Sequence, residues 1–289
     1  MTAKGGQEKV RVFIGSGEAS LLERKTVIHS LRKHSKRDLD IYVFNGTHNA
    51  VELNDGKPFP APMSLRVKYL NITEFSLYRF LIPELCDHKG RAIWIDSDTV
   101  CLADIGDLFD APMGEYDFLA KKEAYRGPGN RWGLSVMLID CERARFDLEK
   151  VADEIENGDY TYGDFAGMSA KYLKQHSCNI GPLDPQWNVF DFYDRNTKLI
   201  HYTNLYTQPW KYPNHLYGDL WYQYFREAIA SGYISQNDIE TTKVRSYVRT
   251  NIMNGNFTFL GREFSVLKDA ASKGRRILKK LIIEPRDSR

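Results

Sequence analysis

The sequence predicts an α/β protein built on a largely parallel β-sheet, and three runs near the N-terminus carry that prediction. Residues 10–15 (VRVFIG) form a short β-branched run that stops at a glycine, as a buried strand does. Residues 18–34 have the apolar spacing of a helix, and residues 39–45 (LDIYVFN) form a second strand-like run. A strand, a helix and a strand in this order make a βαβ unit, whose two strands run parallel.

The remaining elements follow after a loop-rich stretch at residues 46–72. Residues 73–85 (TEFSLYRFLIPEL) are predicted to be helical, with Thr73 as the N-cap and Pro83 near the far end. Further strands are predicted at 91–95, 116–120, 134–140 and 198–203, and further helices around 142–157, 164–175 and 218–232. Since no repeat or low-complexity linker interrupts this pattern, we expect one domain over residues 1–261, followed by a tail at 262–289.

The composition is that of a folded protein in a reducing compartment. Of 289 residues, 42% are hydrophobic and 13% aromatic, enough for a sizeable core and aromatic-lined clefts. The four cysteines are widely spaced without a CxxC pair, so we expect buried free thiols. The net charge of +2 argues neither for nor against nucleic acid, and we assign no nucleic-acid partner. No apolar leader and no run of about 18 apolar residues is present, which predicts a cytoplasmic location.

Two acids one residue apart end the strand predicted at 91–95. Asp96 and Asp98 flank Ser97, and alternation along an extended chain places both carboxylates on the same side. The carboxyl end of a parallel strand faces the crevice where α/β sheets bind ligands. Two neighbouring carboxylates repel each other, so the pair favours binding a proton or a divalent cation. An ordinary turn is the alternative, because aspartate and serine both bond to their own backbone.

Two classes of enzyme use such a pair of acids. In haloacid dehalogenase-like phosphatases, a pattern that IDSDTV (95–100) satisfies supplies a nucleophile and an acid–base group. In nucleotide-sugar glycosyltransferases of the GT-A fold, a DxD motif holds the metal ion that binds the diphosphate. The phosphatase motif usually lies on the first strand of its domain, whereas here two strands and a helix come first. The position of the motif therefore favours the transferase.

Five motifs in chain order resemble glycosyltransferase family 8, the retaining GT-A group that includes glycogenin and bacterial lipopolysaccharide glycosyltransferases. They are TEFSLYRFLIPELC (73–86), RAIWIDSDTVCLADIGDLFD (91–110), SVMLID (135–140), DPQWNVF (184–190) and LIHYTNLYTQPW (199–210). The resemblance implies a Rossmann-like, mostly parallel sheet flanked by helices. It also implies transfer of a hexose from a nucleotide-diphospho-sugar, UDP-glucose or UDP-galactose, to a saccharide, glycolipid or glycoprotein acceptor.

The same resemblance implies which residues bind the donor. Asp96, Asp98 and His201 are the expected metal ligands, and an imidazole among oxygen ligands favours Mn²⁺ over Mg²⁺. The other residues implied to contact the donor are Ile14, Gly15 and Ser16 at the end of the first strand, Arg79, Ser97 and Lys211.

The sequence departs from the family pattern at two places in the catalytic part of the site. Gln208 stands where the family has a lysine and is expected in the catalytic set with Asp164. Lys211, just past Trp210, is a candidate replacement for the missing charge. Of the family's DQD element only Asp164 is retained, and we expect it to orient the donor sugar. Its alternative is an acid at a helix N-terminus, favoured by the macrodipole. A protein that binds a sugar nucleotide without turning it over is a further alternative.

The tail at residues 262–289 is basic and amphipathic. Its cations alternate with aliphatic residues at helical spacing; they include Arg275, Arg276, Lys279 and Lys280. Such a helix suits an anionic membrane surface, so peripheral contact with the inner face of a membrane is one expectation. A solvated charged face on a terminal helix packed against the domain is the other.

Overall fold

The structure, a computed structural model, describes residues 8–123 and 131–254. The strands are β1 (Val10–Ser16), β2 (Leu39–Asn45), β3 (Ala50–Leu53), β4 (Phe59–Pro60), β5 (Arg91–Asp96), β6 (Thr99–Cys101), β7 (Phe118–Glu123), β8 (Arg131–Asp140), β9 (Ile180–Pro182), β10 (Val189–Phe190) and β11 (Leu199–His201). The helices are α1 (Leu21–His34), α2 (Leu65–Lys68), α3 (Ile82–Leu85), α4 (Ile105–Phe109), α5 (Leu148–Glu156), α6 (Tyr162–Ala166), α7 (Ala170–Leu173), α8 (Gly218–Ala230) and α9 (Gln236–Val244).

The predicted α/β class, with a large sheet flanked by helices, is confirmed. Eight strands pair in the order β4-β3-β2-β1-β5-β8-β7-β9, and a small sheet has the order β10-β11-β6. The strand directions are more mixed than the sequence indicated: β1 is parallel to β2 and β5, but β8 is antiparallel to both β5 and β7. β7 and β8 are close in sequence, which suits an antiparallel pair because parallel strands need a longer crossover.

The central strands are buried on both faces. Phe13 and Trp94 pack in one core, while Val12, Ile14 and Ile95 pack in the core on the opposite face. Successive side chains of a strand point to opposite faces, so a strand buried on both sides needs an uninterrupted apolar run. This is why β1, β2 and β5 were recognisable in the sequence.

The helix predicted at residues 73–85 forms only in its second half. A 3-10 turn spans Tyr78–Leu81 and leads directly into α3. Before it, the amide of Leu77 and the hydroxyl of Ser76 both donate to the side chain of Asn71, at 2.6 and 3.1 Å. Side-chain bonds therefore replace the first helical turn, and Thr73 does not act as its cap.

A third core ties the small sheet to α1 and α8. It contains Leu22, Ile200, Trp210 and Trp221, and the two indole rings lie 5.5 Å apart. This core fixes β11 beside β6, so His201 pairs with the residue that follows the acid pair.

The cysteines are free thiols, as expected, and three of the four are buried. Within the ranges given above, no helix is both long and apolar enough to cross a membrane. The proposed domain boundary at residue 261 and the basic tail at 262–289 lie outside the described residues.

Candidate functional site

Asp96 and Asp98 lie in the turn that leads from the large sheet to the small one. β5 ends at Asp96, and the next amide, that of Ser97, donates a hydrogen bond to the carbonyl of Gly15 on β1 (3.1 Å). On the other side, the amide of Tyr202 donates to the carbonyl of Asp98 at 2.9 Å. Each acid is thus fixed by a different sheet, and the backbone sets the spacing between the two.

The carboxylates of Asp96 and Asp98 converge with the imidazole of His201. One ligand atom from each residue lies within 4.8 Å of the others. His201 Nε2 is 2.9 Å from Asp98 Oδ1, yet that buried oxygen accepts no hydrogen bond in the part of the chain described. With a protonated imidazole this contact is an ion pair, and with a neutral imidazole the two atoms can bind one cation. The donor set, two carboxylates and one imidazole, fits a divalent ion such as Mn²⁺.

Asn188 fixes the orientation of the His201 ring. Its side-chain nitrogen donates to Ser135 Oγ at 3.0 Å, which turns Oδ1 towards His201 Nδ1, 3.1 Å away. Nδ1 must therefore carry a proton, and in the neutral ring the lone pair of Nε2 faces Asp98. Asn188 is itself fully buried, and its backbone carbonyl accepts a hydrogen bond of 2.7 Å from Lys121 Nζ. The motif DPQWNVF contains this residue, but nothing in the sequence indicated its role.

The electrostatics of the cluster favour added positive charge. Burial lowers the pKa of His201, but the charges of Asp98 and Asp96 outweigh it, so the pKa is raised. Burial also raises the pKa of Asp96, against the opposing charge of Arg79. Both shifts follow from gathering acids in a poorly solvated place, where a cation relieves their repulsion.

Arg79 lies beside Asp96, where the resemblance implied. Its Nη2 is 3.4 Å from Asp96 Oδ1, and the same oxygen accepts a 2.9 Å hydrogen bond from Trp94 Nε1. Nε of Arg79 donates to the carbonyl of Ser76 at 2.8 Å, and Nη1 donates to that of Leu134. These bonds hold the guanidinium rigidly between the 3-10 turn and β8.

The residues predicted to contact the nucleotide are buried at the end of β1. Ile14 and Ser16 have no exposed surface, and the carbonyl of Gly15 is taken by the Ser97 amide. A Cβ on Gly15 would lie 2.4 Å from the Phe75 ring and nearly as close to Trp94, so the glycine makes room for these rings. Close packing explains its lack of a side chain, and nucleotide contact at Ile14–Ser16 stays a prediction.

Gln208 and Lys211 lie on opposite sides of the same turn. Gln208 is buried, and its Nε2 donates to the carbonyl of Tyr202 at 3.2 Å. Lys211 is exposed, and its charge acts on Glu23, a buried acid whose pKa burial raises to about 8 and which also feels Asp98. Lys211 and Asp98 thus act on the same buried acid, whereas the Gln208 side chain points into the core.

Asp164 caps α6. Its Oδ2 accepts hydrogen bonds from the amide and hydroxyl of Thr161 at 3.0 and 2.6 Å, and its Oδ1 accepts one from Ser169 at 2.8 Å. These bonds lower the pKa of Asp164 to about 2. Both oxygens are engaged within the helix terminus, which is the alternative role that the sequence left open. Contact of Asp164 with the donor sugar stays a prediction.

A cleft of about 480 Å³ opens next to the metal ligands. Residues that line it include Arg79, Glu123, Trp132, Tyr162, Phe190 and His201. Trp132 thus faces the cleft, whereas Trp187 and Trp210 are only 2% and 1% exposed. A larger cavity, about 590 Å³, lies near α2, α5 and α7 and is lined by none of the metal ligands.

Solved structures with this fold are glycosyltransferases, so the chain has a GT-A type fold. The galactosyltransferase LgtC, in complex with donor and acceptor sugar analogues, matches with a TM-score of 0.54 and 11% identity over 75% of this chain and 96% of its own. Glycosyltransferase GlyE of Streptococcus pneumoniae matches with a TM-score of 0.53 and 18% identity over 75% and 61%. The bifunctional glycosyltransferase WbbM matches with a TM-score of 0.51 and 15% identity over 78% and 50%.

Among curated proteins, two sequence relatives extend this likeness. Protein CDI of Arabidopsis thaliana is 27% identical over 176 residues, which are 53% of this chain and 64% of that protein. GlyE of Streptococcus pneumoniae is 24% identical over 158 residues, 53% of this chain and 37% of that protein. The chain thus spans less than two thirds of either relative. No family model matches the chain, so these comparisons do not show membership of family 8.

Proposed function

We propose that this protein is a metal-dependent glycosyltransferase that moves a hexose from a UDP-sugar to a saccharide acceptor. The observation that supports it most is the convergence of Asp96, Asp98 and His201 at the end of β5, in a fold shared with glycosyltransferases. The 2.9 Å approach of His201 Nε2 to Asp98 Oδ1 suits two ligands of one cation at this point. Family 8 and retention of configuration rest on the sequence resemblance.

The reaction replaces one bond to C1 of the donor sugar by another. The bond from C1 to the phosphate oxygen breaks, a bond from C1 to an acceptor hydroxyl oxygen forms, and the hydroxyl proton passes to the departing phosphate. A dication held by Asp96, Asp98 and His201 would stabilise the negative charge that develops on the leaving diphosphate. Asn188 holds the Nδ1 proton of His201, and Arg79 fixes Asp96 at the mouth of the cleft.

Lys211 is our candidate for the cation that the family places at position 208. The charges of Lys211 and Asp98 both act on the buried Glu23, which supports this assignment. Gln208 supports Lys211 through the backbone, because the backbone carbonyl of Gln208 accepts a hydrogen bond of 2.9 Å from the amide of Lys211. We therefore assign Gln208 to the shape of this turn instead of to the reaction.

A phosphatase would need a lysine and a second acidic pair around its nucleophile. Among the residues described, the acid pair has His201 and Arg79 as its nearest charged partners. This set suits a metal-bound diphosphate better than an aspartyl-phosphate. The donor sugar, the acceptor linkage and the contact of the tail with an anionic membrane stay predictions from the sequence.

Thermal unfolding tests the proposed function. UDP-glucose or UDP-galactose should raise the Tm of the wild-type protein only when Mn²⁺ is present, because the proposed site binds the diphosphate through the metal ion. A ligand at 100 times its Kd adds about 2.7 kcal/mol to the free energy of unfolding. Asp98→Asn should lose this shift while keeping the Tm of the ligand-free protein. Asp107→Asn, an exposed acid on α4, is the matched control and should behave as wild type.

The Tm measurements, together with assays of hydrolysis and sugar transfer, separate the alternatives. A shift that needs no metal would remove Asp98 from the ligand set. Hydrolysis of small phosphomonoesters without any nucleotide would favour a phosphatase. Metal-dependent nucleotide binding with neither donor hydrolysis nor sugar transfer would show an inactive sugar-nucleotide-binding protein.

A further inference from the structure

The order of strands divides the surroundings of the acid pair into two regions. In the large sheet, β5 lies between β1 and β2 on one side and β8 and β7 on the other. The residues predicted to contact the nucleotide lie at the end of β1. Residues of β7, β8 and α6 line the 480 Å³ cleft. With the nucleotide over β1 and the transferred sugar at the acid pair, an acceptor has to approach from the side of β8 and β7. This step rests on the proposed function.

Glu123 places an unengaged carboxylate in that cleft. Its side chain makes no hydrogen bond or ion pair within residues 8–123 and 131–254. The carboxylate lies over β8, because a Cβ built on Gly133 would come within 2.6 Å of Glu123 Oε1. An ionised carboxylate only accepts hydrogen bonds, so its natural partners in a ligand are hydroxyl groups.

Trp132 and Phe190 give the same cleft aromatic walls. The amide of Trp132 donates to the carbonyl of Gly167 at 3.0 Å, which ties this part of β8 to the end of α6. Phe190 is held between Lys121, whose Nζ is 3.5 Å from the ring centroid, and His201, whose ring lies edge-on at 5.5 Å. Rigid aromatic surfaces bind with little loss of conformational entropy.

We propose that Glu123 and Trp132 form the acceptor subsite and that the acceptor is a neutral saccharide. The C–H faces of a sugar ring pack on an aromatic ring, while its hydroxyls donate to a carboxylate. The cleft volume lies in the usual range of small-molecule sites, roughly 300–1,000 Å³. Arg79 and Arg131 also line the cleft, but Arg79 is paired with Asp96 and Arg131 is not free. An acidic or phosphorylated sugar would therefore bring negative charge against Glu123, which is unfavourable.

Binding measurements on the full-length protein test this subsite. Saturation-transfer NMR in Mg²⁺ and UDP would compare glucose, galactose, maltose and lactose with glucuronic acid. The neutral sugars should bind more tightly than glucuronic acid. Glu123→Gln and Trp132→Ala should each weaken the neutral sugars by roughly tenfold, the loss expected for one charged hydrogen bond or one aromatic contact. Trp132→Phe should restore most of the binding.

Two further variants make the test specific. Gly133→Ala keeps Glu123 but displaces its carboxylate, so it should reproduce the effect of Glu123→Gln. Glu115→Gln, whose side chain is 89% exposed, should match the wild type. In parallel, calorimetry should find the same Mn²⁺-dependent Kd for UDP in all these variants, because the nucleotide lies on the other side of the acid pair.

The outcomes distinguish this subsite from the proposed function. If the wild-type protein does not bind UDP, the proposed function is refuted, whichever saccharides bind. With UDP binding intact, three results would each overturn the acceptor subsite. These are binding of none of the neutral sugars, tighter binding of glucuronic acid than of glucose, and unchanged binding in both Glu123→Gln and Trp132→Ala.

Discussion

His201 can serve as a metal ligand at Nε2 only when the ring proton sits on Nδ1. Asn188 enforces this arrangement, since its own amide nitrogen is committed to Ser135 and only its oxygen is left to face the ring. A residue outside the candidate ligand set therefore orients one of the candidate ligands. In metal sites such supporting hydrogen bonds commonly change metal affinity by about 10–100-fold.

Replacing Asn188 tests this control. Asn188→Leu should weaken Mn²⁺ binding by about 10–100-fold, because either ring nitrogen can then carry the proton. Asn188→Asp should keep the affinity, since a carboxylate also accepts the Nδ1 proton. Electron paramagnetic resonance of free Mn²⁺ measures the affinity without any turnover. Asn237→Leu, at an exposed position on α9, is the control, and wild-type affinity in Asn188→Leu would contradict the assignment.

At the scale of elements, short helices around the cleft depend on side-chain caps. α6 spans only Tyr162–Ala166, and the reciprocal bonds of Thr161 and Asp164 satisfy amides that so short a helix leaves unpaired. The sequence had suggested one helix over 164–175, but the structure has α6 and α7, each with its own N-cap. The capping residues decide where the chain turns beside the cleft.

The cap of Asp164 makes a pH-dependent prediction. Its folded pKa of about 2 is below the ordinary value of 3.8, so the ionised side chain stabilises the fold above pH 3.8, and that stabilisation is lost as pH falls towards 2. Asp164→Ala should lower the free energy of unfolding at pH 7 by about 1 kcal/mol. The difference from wild type should shrink at pH 3, as measured by urea unfolding.

The same variant decides between the two roles of Asp164. A cap leaves Mn²⁺-dependent binding of UDP-glucose unchanged once the variant is folded. Weaker binding of UDP-glucose, with UDP bound as in wild type and no loss of stability, would restore Asp164 to the donor-sugar site.

At the scale of the whole molecule, the cluster of Asp96, Asp98 and His201 depends on how two sheets are joined. Asp96 belongs to the large sheet and His201 to the small one, and the third core, with its buried Trp210 and Trp221, holds the small sheet against α1 and α8. The segment after α9 returns to this core, where the amide of Arg249 donates to the carbonyl of Trp210 at 3.0 Å. In sequence, the basic tail at 262–289 therefore follows a segment that is hydrogen-bonded to this third core.

The predicted contact of that tail with a membrane is tested on the full chain. Charge reversal at Arg275, Arg276, Lys279 and Lys280 should abolish flotation with anionic vesicles, because cations near such a surface each contribute about 1 kcal/mol. Neither the wild-type protein nor the tail variant should float with neutral vesicles. Reversal of Lys36 and Lys150, which are 83% and 62% exposed, is the control. Equal flotation of the tail variant and wild type would end the idea.

The sequence by itself determined the central strands and the acid pair. A strand buried on both faces needs a continuous apolar run, and acids two positions apart are neighbours whatever the fold, so both leave a local pattern. The resemblance pointed to His201 and Arg79, which the structure brings to the acid pair.

Only the tertiary structure decided which residues surround that pair. Glu123 and Trp132 reach the site because β8 pairs with β5, a more distant segment, and Asn188 reaches it because β10 pairs with β11. Such contacts leave no period or spacing in the chain. For the same reason the roles predicted for Gln208 and Asp164 stay predictions. Each has a side chain suited to the reaction, but hydrogen bonds to Tyr202 and Thr161 direct one into a turn and the other into a helix cap.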